Sequence, residues 1–244
     1  MQLKPSHPSV VKGLTIHPKR VFNVSDYRHN VLKSAKGNSK LGKGLTSIVK
    51  GKWKGFPLFT LTLEERATCP TSCHHWLDCY GNSMGFAHRF KPSKELEVRL
   101  DFELGNLAKK YVKGFAVRLH VLGDFYSTGY VDFWWQMLLK YPNLHLYGYT
   151  ARDSKDEIGK RLDFVRMLYP ERFWIRQSVS QKSEKSFVAT SVLFGGSITC
   201  PEQVGKTESC LTCGLCWSVK NPIHFITHKR KPRKKGLTSS ETLA

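Results

Sequence analysis

Seven cysteines stand in two groups along the 244 residues, and their spacing is the strongest chemical signal in the chain. The first group, Cys69-Pro-Thr-Ser-Cys73-His-His-Trp-Leu-Asp-Cys79, is a C-x3-C-x5-C run that directly follows a β-prone stretch. Three thiolates on one loop can hold three corners of a cubane cluster or three positions on zinc. A coordinated thiol gives up its proton because the bound cation supplies the field that favours the thiolate. His74, His75 and Asp78 lie between these ligands and are candidates for a fourth, although a surface or supporting place is the commoner fate of such histidines. The second group is Cys200 with Cys210-Leu-Thr-Cys213-Gly-Leu-Cys216, spaced C-x9-C-x2-C-x2-C. A structural zinc site draws ligand pairs from two separated knuckles, whereas three cysteines at successive x2 spacing wrap a compact cluster as in ferredoxin-type loops. Gly214 permits the tight turn, and Trp217 can shield the cluster from water. The spacing therefore predicts two iron-sulfur clusters of the 4Fe-4S kind, with zinc as the alternative metal.

Charge and composition set the context. No apolar leader follows the N-terminus and no stretch approaches the roughly 18 apolar residues of a membrane span, so the expected address is the cytoplasm, with no membrane span. Disulfides do not persist there, and an odd number of cysteines in two clumps points to metal or redox chemistry. Lys and Arg number 39 against 19 Asp and Glu, a net charge of +20. The excess sits at the two ends. Residues 1–54 carry twelve cations against one acid, Asp26, and Lys229, Arg230, Lys231, Arg233, Lys234 and Lys235 follow in one short run. Single-sign ends attract polyanions, nucleic acid first and an anionic membrane surface second; a merely solubilising tail is the plain alternative. Those six residues together with Lys50, Lys52 and Lys54 are the candidate nucleic-acid contacts.

The elements that must position these groups follow a repeated grammar. The segment to Gly55 mixes Lys, Gly and Ser and reads as a loop-rich basic arm. FPLFTLTL, from Phe56, is the first core strand and runs into the first cysteine loop. A helix over 94–111 with Ser93 as its N-cap precedes a strand over 115–122. Two further units follow, a helix over 130–140 with a strand over 144–149, and a helix over 156–168 with a strand over 173–177. The interval of 28 to 29 residues between strand starts fits one β-loop-α-loop unit and predicts parallel strands, hence an α/β sheet or partial (βα) barrel. The strand ends, at Gly123-Asp124, Thr150-Ala151-Arg152 and Gln177-Ser178, should then converge on one mouth. A last strand over 188–194 leads through Gly195-Gly196 to the second cysteine group. The boundaries drawn are 1–55 for the basic arm, 56–196 for the βα-repeat unit with the first cysteine loop, 197–228 for a cysteine-rich segment and 229–244 for a flexible basic tail.

Three residue sets now line up in order: the cysteine loop, RLHVLGDFYS from Arg118 to Ser127, and LHLYGYTAR from Leu144 to Arg152. With the closing CPEQ and SCLTCGLCW they make the chain resemble the phage-associated gene product 88 family, whose members resemble radical S-adenosylmethionine enzymes. That resemblance, over roughly residues 56–217, implies a radical-enzyme-like partial barrel in a phage-encoded protein, working in the host cytoplasm. It further implies a four-iron cluster on Cys69, Cys73 and Cys79 with one open iron. Gly123 and Asp124 match a cofactor-binding motif at the second strand, and Thr150 and Arg152 join them at the next strand end. The sequence departs from the radical enzymes in its last cysteine gap, five residues in place of two, and in Gly-Asp-Phe where two glycines and a glutamate are usual. These departures bear on S-adenosylmethionine more than on the cluster.

Singly, Asp124 is either a ligand contact or a turn brace, and His120 is either a core histidine or a cavity group sharing a face with Arg118. Arg152 and Arg176 are candidate donors to an anion, and Trp134 and Trp135 pack a helix. The function read from the sequence is an iron-sulfur protein of radical-enzyme-like fold that binds nucleic acid. The alternatives are a radical S-adenosylmethionine-type enzyme with an auxiliary cluster, and a zinc-stabilised interaction module.

Overall fold

The computed structural model describes residues 1–226 apart from 182, 184 and 193–197. Lys229, Arg230, Lys231, Arg233, Lys234 and Lys235, like Gly195 and Gly196, therefore lie outside the described residues. In chain order the strands are β1 (Val21–Phe22), β2 (Lys33–Ser34), β3 (Leu58–Thr60), β4 (Arg89–Phe90), β5 (Phe115–Leu119), β6 (Leu144–Thr150), β7 (Phe173–Val179), β8 (Val188–Val192) and β9 (Ile223–Ile226). The α-helices are α1 (Pro8–Val11), α2 (Lys94–Lys110), α3 (Thr128–Lys140), α4 (Glu157–Leu168) and α5 (Cys210–Cys213). β1 and β4 pair on their own, while seven strands form one sheet in the order β2-β3-β5-β6-β7-β8-β9. Every pair in that sheet is parallel except β2 with β3.

The βα grammar is present, but the barrel is not. β2 and β9 end the sheet on opposite sides without pairing to each other, so among the described residues it is open. The predicted partial barrel is corrected to an open, mostly parallel sheet. The repeat length that suggested a barrel fixes only the βα unit; closure needs strand tilt and stagger, which a repeat length does not encode.

Local chemistry sets the helix starts. The side chains of Ser93, Ser127 and Asp156 accept hydrogen bonds from the backbone N–H groups of Leu96, Tyr130 and Gly159, filling donors that a helix N-terminus leaves open. α2, α3 and α4 lay Leu96, Leu100, Leu104, Val131, Trp134, Leu138, Leu162 and Val165 against one face of the sheet, where Phe115, Val117, Leu144, Leu146, Phe173 and Ile175 point. Trp134 is fully buried there, as helix packing requires. Among the described residues no helix is long and apolar enough to cross a membrane.

Among the described residues, and apart from the single turn α5, the other face has no layer of long helices. Ala116, Tyr147 and Trp174 point to it and are covered by Ala35, Leu41, Ile48, Trp53 and Leu58 from the front of the chain and by Leu211 and Trp217 from the cysteine-rich segment. Residues 1–55 hold only short elements, yet they pack inward and supply an edge strand, so this stretch is part of the core and not a peripheral arm. Buried Glu103 of α2 pins it: one carboxylate oxygen accepts from Val31 N at 2.8 Å, the other from Leu32 N at 2.9 Å, and Arg99 supports the group at 2.9 Å.

Glu103→Ala removes the acceptor from two buried N–H groups. The expected loss is about 1–3 kcal/mol in urea unfolding. A variant of unchanged stability would show that the front of the chain is not docked as described.

Candidate metal centre

The first cysteine loop leaves the sheet after β3 and is held by buried charge. Arg89 forms a two-pronged pair with Glu65, Nε to Oε2 at 2.6 Å and Nη2 to Oε1 at 3.1 Å, and neither side chain is more than 1% exposed. Its remaining N–H groups donate to the carbonyls of Met84, Ala87 and Gly81. Arg66, in the left-handed region at φ 64°, donates to the carbonyls of Leu14 and Trp76 and to Asn82 Oδ1. Two guanidiniums thus collect the carbonyls of the loop that carries Cys73 and Cys79. Sequence reasoning passed over both; the signal was the charged triplet Glu64-Glu65-Arg66 between an apolar strand and a cysteine.

The strand-end residues Gly123, Asp124, Thr150 and Arg152 do come together. Asp124 Oδ1 accepts from Phe125 N and from the Thr150 hydroxyl, both at 2.7 Å, and Oδ2 accepts from Ala151 N at 2.7 Å. Burial pushes this carboxyl up to about 6 against the pull of those donors. Arg152 donates to the carbonyls of Phe125 and Thr68, and Thr68 Oγ1 accepts from Asp124 N. Gly123 has φ 84°, and a Cβ there would lie 2.6 Å from both Leu63 Cβ and Thr68 Oγ1. The four residues therefore brace the approach to Cys69, with both Asp124 oxygens already occupied.

Burial and then the Asp124 carboxylate push Cys69 up, and Cys73 and Cys79 lie close enough that their charge adds to it. Burial is the larger cause for all three, and it pushes Cys79 up to about 11. His74 Nε2 is buried without a partner, and its ring sits 4.2 Å from that of His75. His75 is already engaged, with Asp78 Oδ1 at 3.0 Å on one nitrogen and Ser191 Oγ at 3.0 Å on the other. Of the three fourth-ligand candidates, His74 alone keeps a free buried nitrogen.

The second thiol set lies under the face opposite α2, α3 and α4. Cys200 is placed by Cys200 N donating to His224 O of β9, and Cys210 by Cys210 N donating to Lys40 O. Gly214, at φ 74°, closes α5 where a Cβ would stand 2.6 Å from Lys50 O. Tyr149 donates its hydroxyl hydrogen to Cys216 Sγ at 2.9 Å. The charge of Cys216 raises Cys200, Cys210 and Cys213, in each case after burial, which takes Cys210 up to about 12. The charges of both Cys200 and Cys216 thus reach Cys210 and Cys213. Trp217 is buried beside them, stacked on Trp53 at 5.8 Å and against Tyr147 at 4.7 Å. Among the described residues, no three His, Cys, Asp or Glu side chains stand close enough together to hold a metal ion.

The remaining candidates divide. Arg176 is no anion site: it is buried and gives its donors to the carbonyls of Cys216, Val219 and Asn221, fixing the second cysteine loop. His120 does not share the face of Arg118, because β5 ends at Leu119 and the imidazole turns toward α3, where Nε2 meets Tyr130 Oη at 3.1 Å. Lys50, Lys52 and Lys54 are exposed, but Lys52 is held by Glu171 at 2.7 Å and lies over Trp174.

A family model described as Gene product 88 matches residues 31–190, which include the first thiol set and stop short of the second. The Gene 88 protein of Mycobacterium phage L5 is 24% identical over 131 residues, covering 46% of this chain and 55% of that protein, so the chain spans about half the length of the curated relative. No solved structure matches.

Arg89→Met leaves Glu65 buried and unpaired, at an expected cost of about 3–5 kcal/mol. Adding Glu65→Met should restore much of it, since a buried pair replaced by apolar groups is close to neutral. Chemical unfolding of the two variants checks this, and an equal loss in both would mean that the pair's charges are not what holds the loop.

Proposed function

The chain belongs to the gene product 88 family, and we propose that it is an iron-sulfur protein whose cationic surface binds nucleic acid. One cluster is assigned to Cys200, Cys210, Cys213 and Cys216, and the other to Cys69, Cys73 and Cys79. The observation that carries the reading is that the fold returns Cys200 to within electrostatic reach of Cys210, Cys213 and Cys216, beside buried Trp217. Cys200 is buried and the other three are half-buried; thiols brought this near to one another become ligands when a bound cation favours the thiolate. Ligands of one zinc ion, at about 2.3 Å from the metal, stand within about 4 Å of each other. A cubane spreads its cysteines wider, which suits thiols that sense each other's charge without clustering around one point. Such clusters, when bound, exchange single electrons.

The residues around the thiols suit that role. Trp217 and Trp53 wall off the second set, Tyr149 donates to one ligand sulfur, and Arg176 fixes the backbone that carries it. The first set has three thiols and the free nitrogen of His74. A radical S-adenosylmethionine reaction would need Asp124, Thr150 and Arg152 to turn from their present partners toward a cofactor, and their mutual hydrogen bonds favour cluster binding without it. For the nucleic-acid half, eleven of the twelve cations up to Lys54 are exposed, and among the described residues Lys40 and Lys52 alone of the twelve form ion pairs. Exposed cations without partners are free to neutralise phosphates.

Anaerobic purification with iron, sulfide and zinc analysis tests the metal. About eight irons per chain are expected for two cubanes. Cys213→Ser should lose about half the iron and melt at a lower temperature, because metal bound only by the folded state contributes to folding. Zinc without sulfide would overturn the reading.

The nucleic-acid half is tested separately by salt titration. Duplex DNA affinity should fall with a log-log slope of roughly −0.9 per phosphate contact. The pair Lys50→Gln with Lys54→Gln, or removal of residues 229–244, should flatten that slope with the iron content unchanged. Binding indifferent to salt would remove this half and leave the clusters standing.

A further inference from the structure

Five arginines reach inward around the two thiol sets, and four are engaged: Arg152 donates to the carbonyls of Phe125 and Thr68. Arg66 donates to two carbonyls and an amide oxygen, Arg89 to Glu65 and three carbonyls, and Arg176 to three carbonyls. Arg118 is the exception. Its side chain makes no hydrogen bond or ion pair with any described residue, and its Nε is shut off from water without a partner. It lies over the face of the Tyr149 ring, 5.8 Å from the guanidinium carbon, and its charge reaches Tyr147, Tyr80 and Cys210 without a hydrogen bond to any of them.

Beside it lies a second unsatisfied donor. Arg118 of β5 is in register with Tyr147 of β6, and Tyr147 and Tyr149 point to the same face as Arg118 because strand side chains alternate. Tyr147 is 2% exposed, and its hydroxyl is buried with no partner. An unpaired buried donor costs about 1–3 kcal/mol, and a charged one more. Arg118 is half-buried, with only its Nε shut off from water, so a reachable cation stands beside a buried hydroxyl, and together they describe half of a binding site.

We propose that Arg118 and Tyr147 bind a carboxylate group of a small organic ligand on the face opposite α2, α3 and α4, between the two thiol sets. The class follows from the donors. A single guanidinium balances one negative charge, and a phenol is a neutral donor at pH 7. A carboxylate offers one charge and two oxygens, matching one cation and one hydroxyl, whereas a phosphate dianion would call for a second cation. Glu65 and Asp124 cannot serve as internal partners, since Arg89 and the Thr150, Ala151 and Phe125 donors already hold them. The site goes beyond cluster binding and needs no metal, because both donors stand on strands.

The test is thermal melting of the full-length chain, purified anaerobically, in sodium acetate against sodium chloride of equal ionic strength, with iron measured on the same samples. A ligand that binds only the native state raises the melting temperature by mass action. Acetate should raise it in the wild-type chain and have no effect on Arg118→Met; Tyr147→Phe should need about tenfold more acetate for the same shift. Without acetate, Arg118→Met should melt no lower than wild type, since it removes an uncompensated charge. Sodium phosphate at the same ionic strength should give less stabilisation than acetate. Equal acetate shifts in wild type and Arg118→Met would overturn the proposal. So would loss of iron in Arg118→Met with no acetate effect in wild type, which would make the guanidinium a counter-charge to a cluster. An acetate effect that follows Arg118 in samples without iron would uphold this site while removing the metal reading.

Discussion

A parallel sheet must be covered on both faces, and in this chain α2, α3 and α4 cover only one of them. The rest of the molecule can be understood as the consequence. The opposite face is closed by segments with almost no regular structure, the front of the chain and the cysteine-rich stretch, which meet where Trp53 stacks on Trp217 at an interplanar angle of 2°. Irregular segments cannot satisfy their own backbone, so burying them raises a demand for hydrogen-bond donors that helices do not make. The same absence of long helices lets polar side chains such as Arg118, Tyr147 and Tyr149 stand on a strand face that would otherwise be apolar.

Arginine meets that demand. Arg66, Arg89 and Arg176 share a design: a guanidinium with its fork of donors set among several carbonyls of one loop. Lysine could not replace them, because a single ammonium on a flexible stem does not hold separated carbonyls in fixed directions. Of these three, Arg89 alone is balanced by a carboxylate among the described residues, so the charges of Arg66 and Arg176 are stabilised by carbonyl and amide dipoles. The high net charge of the chain thus has two origins, a solvated part on the front segment and a structural part inside.

The sequence made one half of the fold readable and hid the other. Ser93, Ser127 and Asp156 are capping residues followed by apolar spacing, and each begins a helix within two residues of the predicted start. β5, β6 and β7 are short runs rich in apolar and aromatic residues at a regular interval and were equally plain. The front of the chain was not, because Val31, Leu32, Ala35, Leu41, Ile48 and Trp53 are all buried but follow neither period 2 nor period 3.6. Composition there reads as a basic linker, and only tertiary contacts such as Glu103 with Val31 and Leu32 show otherwise. At the strand ends the convergence of Gly123, Asp124, Thr150 and Arg152 could be inferred from topology. Their use on one another could not, since three donors must be in place before it is evident that both oxygens of Asp124 are taken. Arg118 and His120 show how a one-residue error in a strand end redirects a side chain: alternation applies up to Leu119 and not beyond.

The protonation of the thiols links the two halves. Burial pushes up Cys69, Cys73, Cys79, Cys200, Cys210 and Cys213, and within each set the thiols oppose one another's ionisation. A thiol whose folded-state pKa is raised favours the neutral form, so near neutral pH the metal-free chain keeps these groups protonated and unreactive. Ligation reverses this only if the incoming cation supplies more than the burial withholds, and it must then release protons as it binds. Under the proposed cluster assignment, the covering of the face opposite α2, α3 and α4 and the binding of metal would for that reason not be independent steps. The packing that buries Cys210 against the front of the chain also raises the barrier to its ionisation, against the pull of the Arg118 and Lys40 charges, and a bound metal would stabilise the same packing by fixing α5 there.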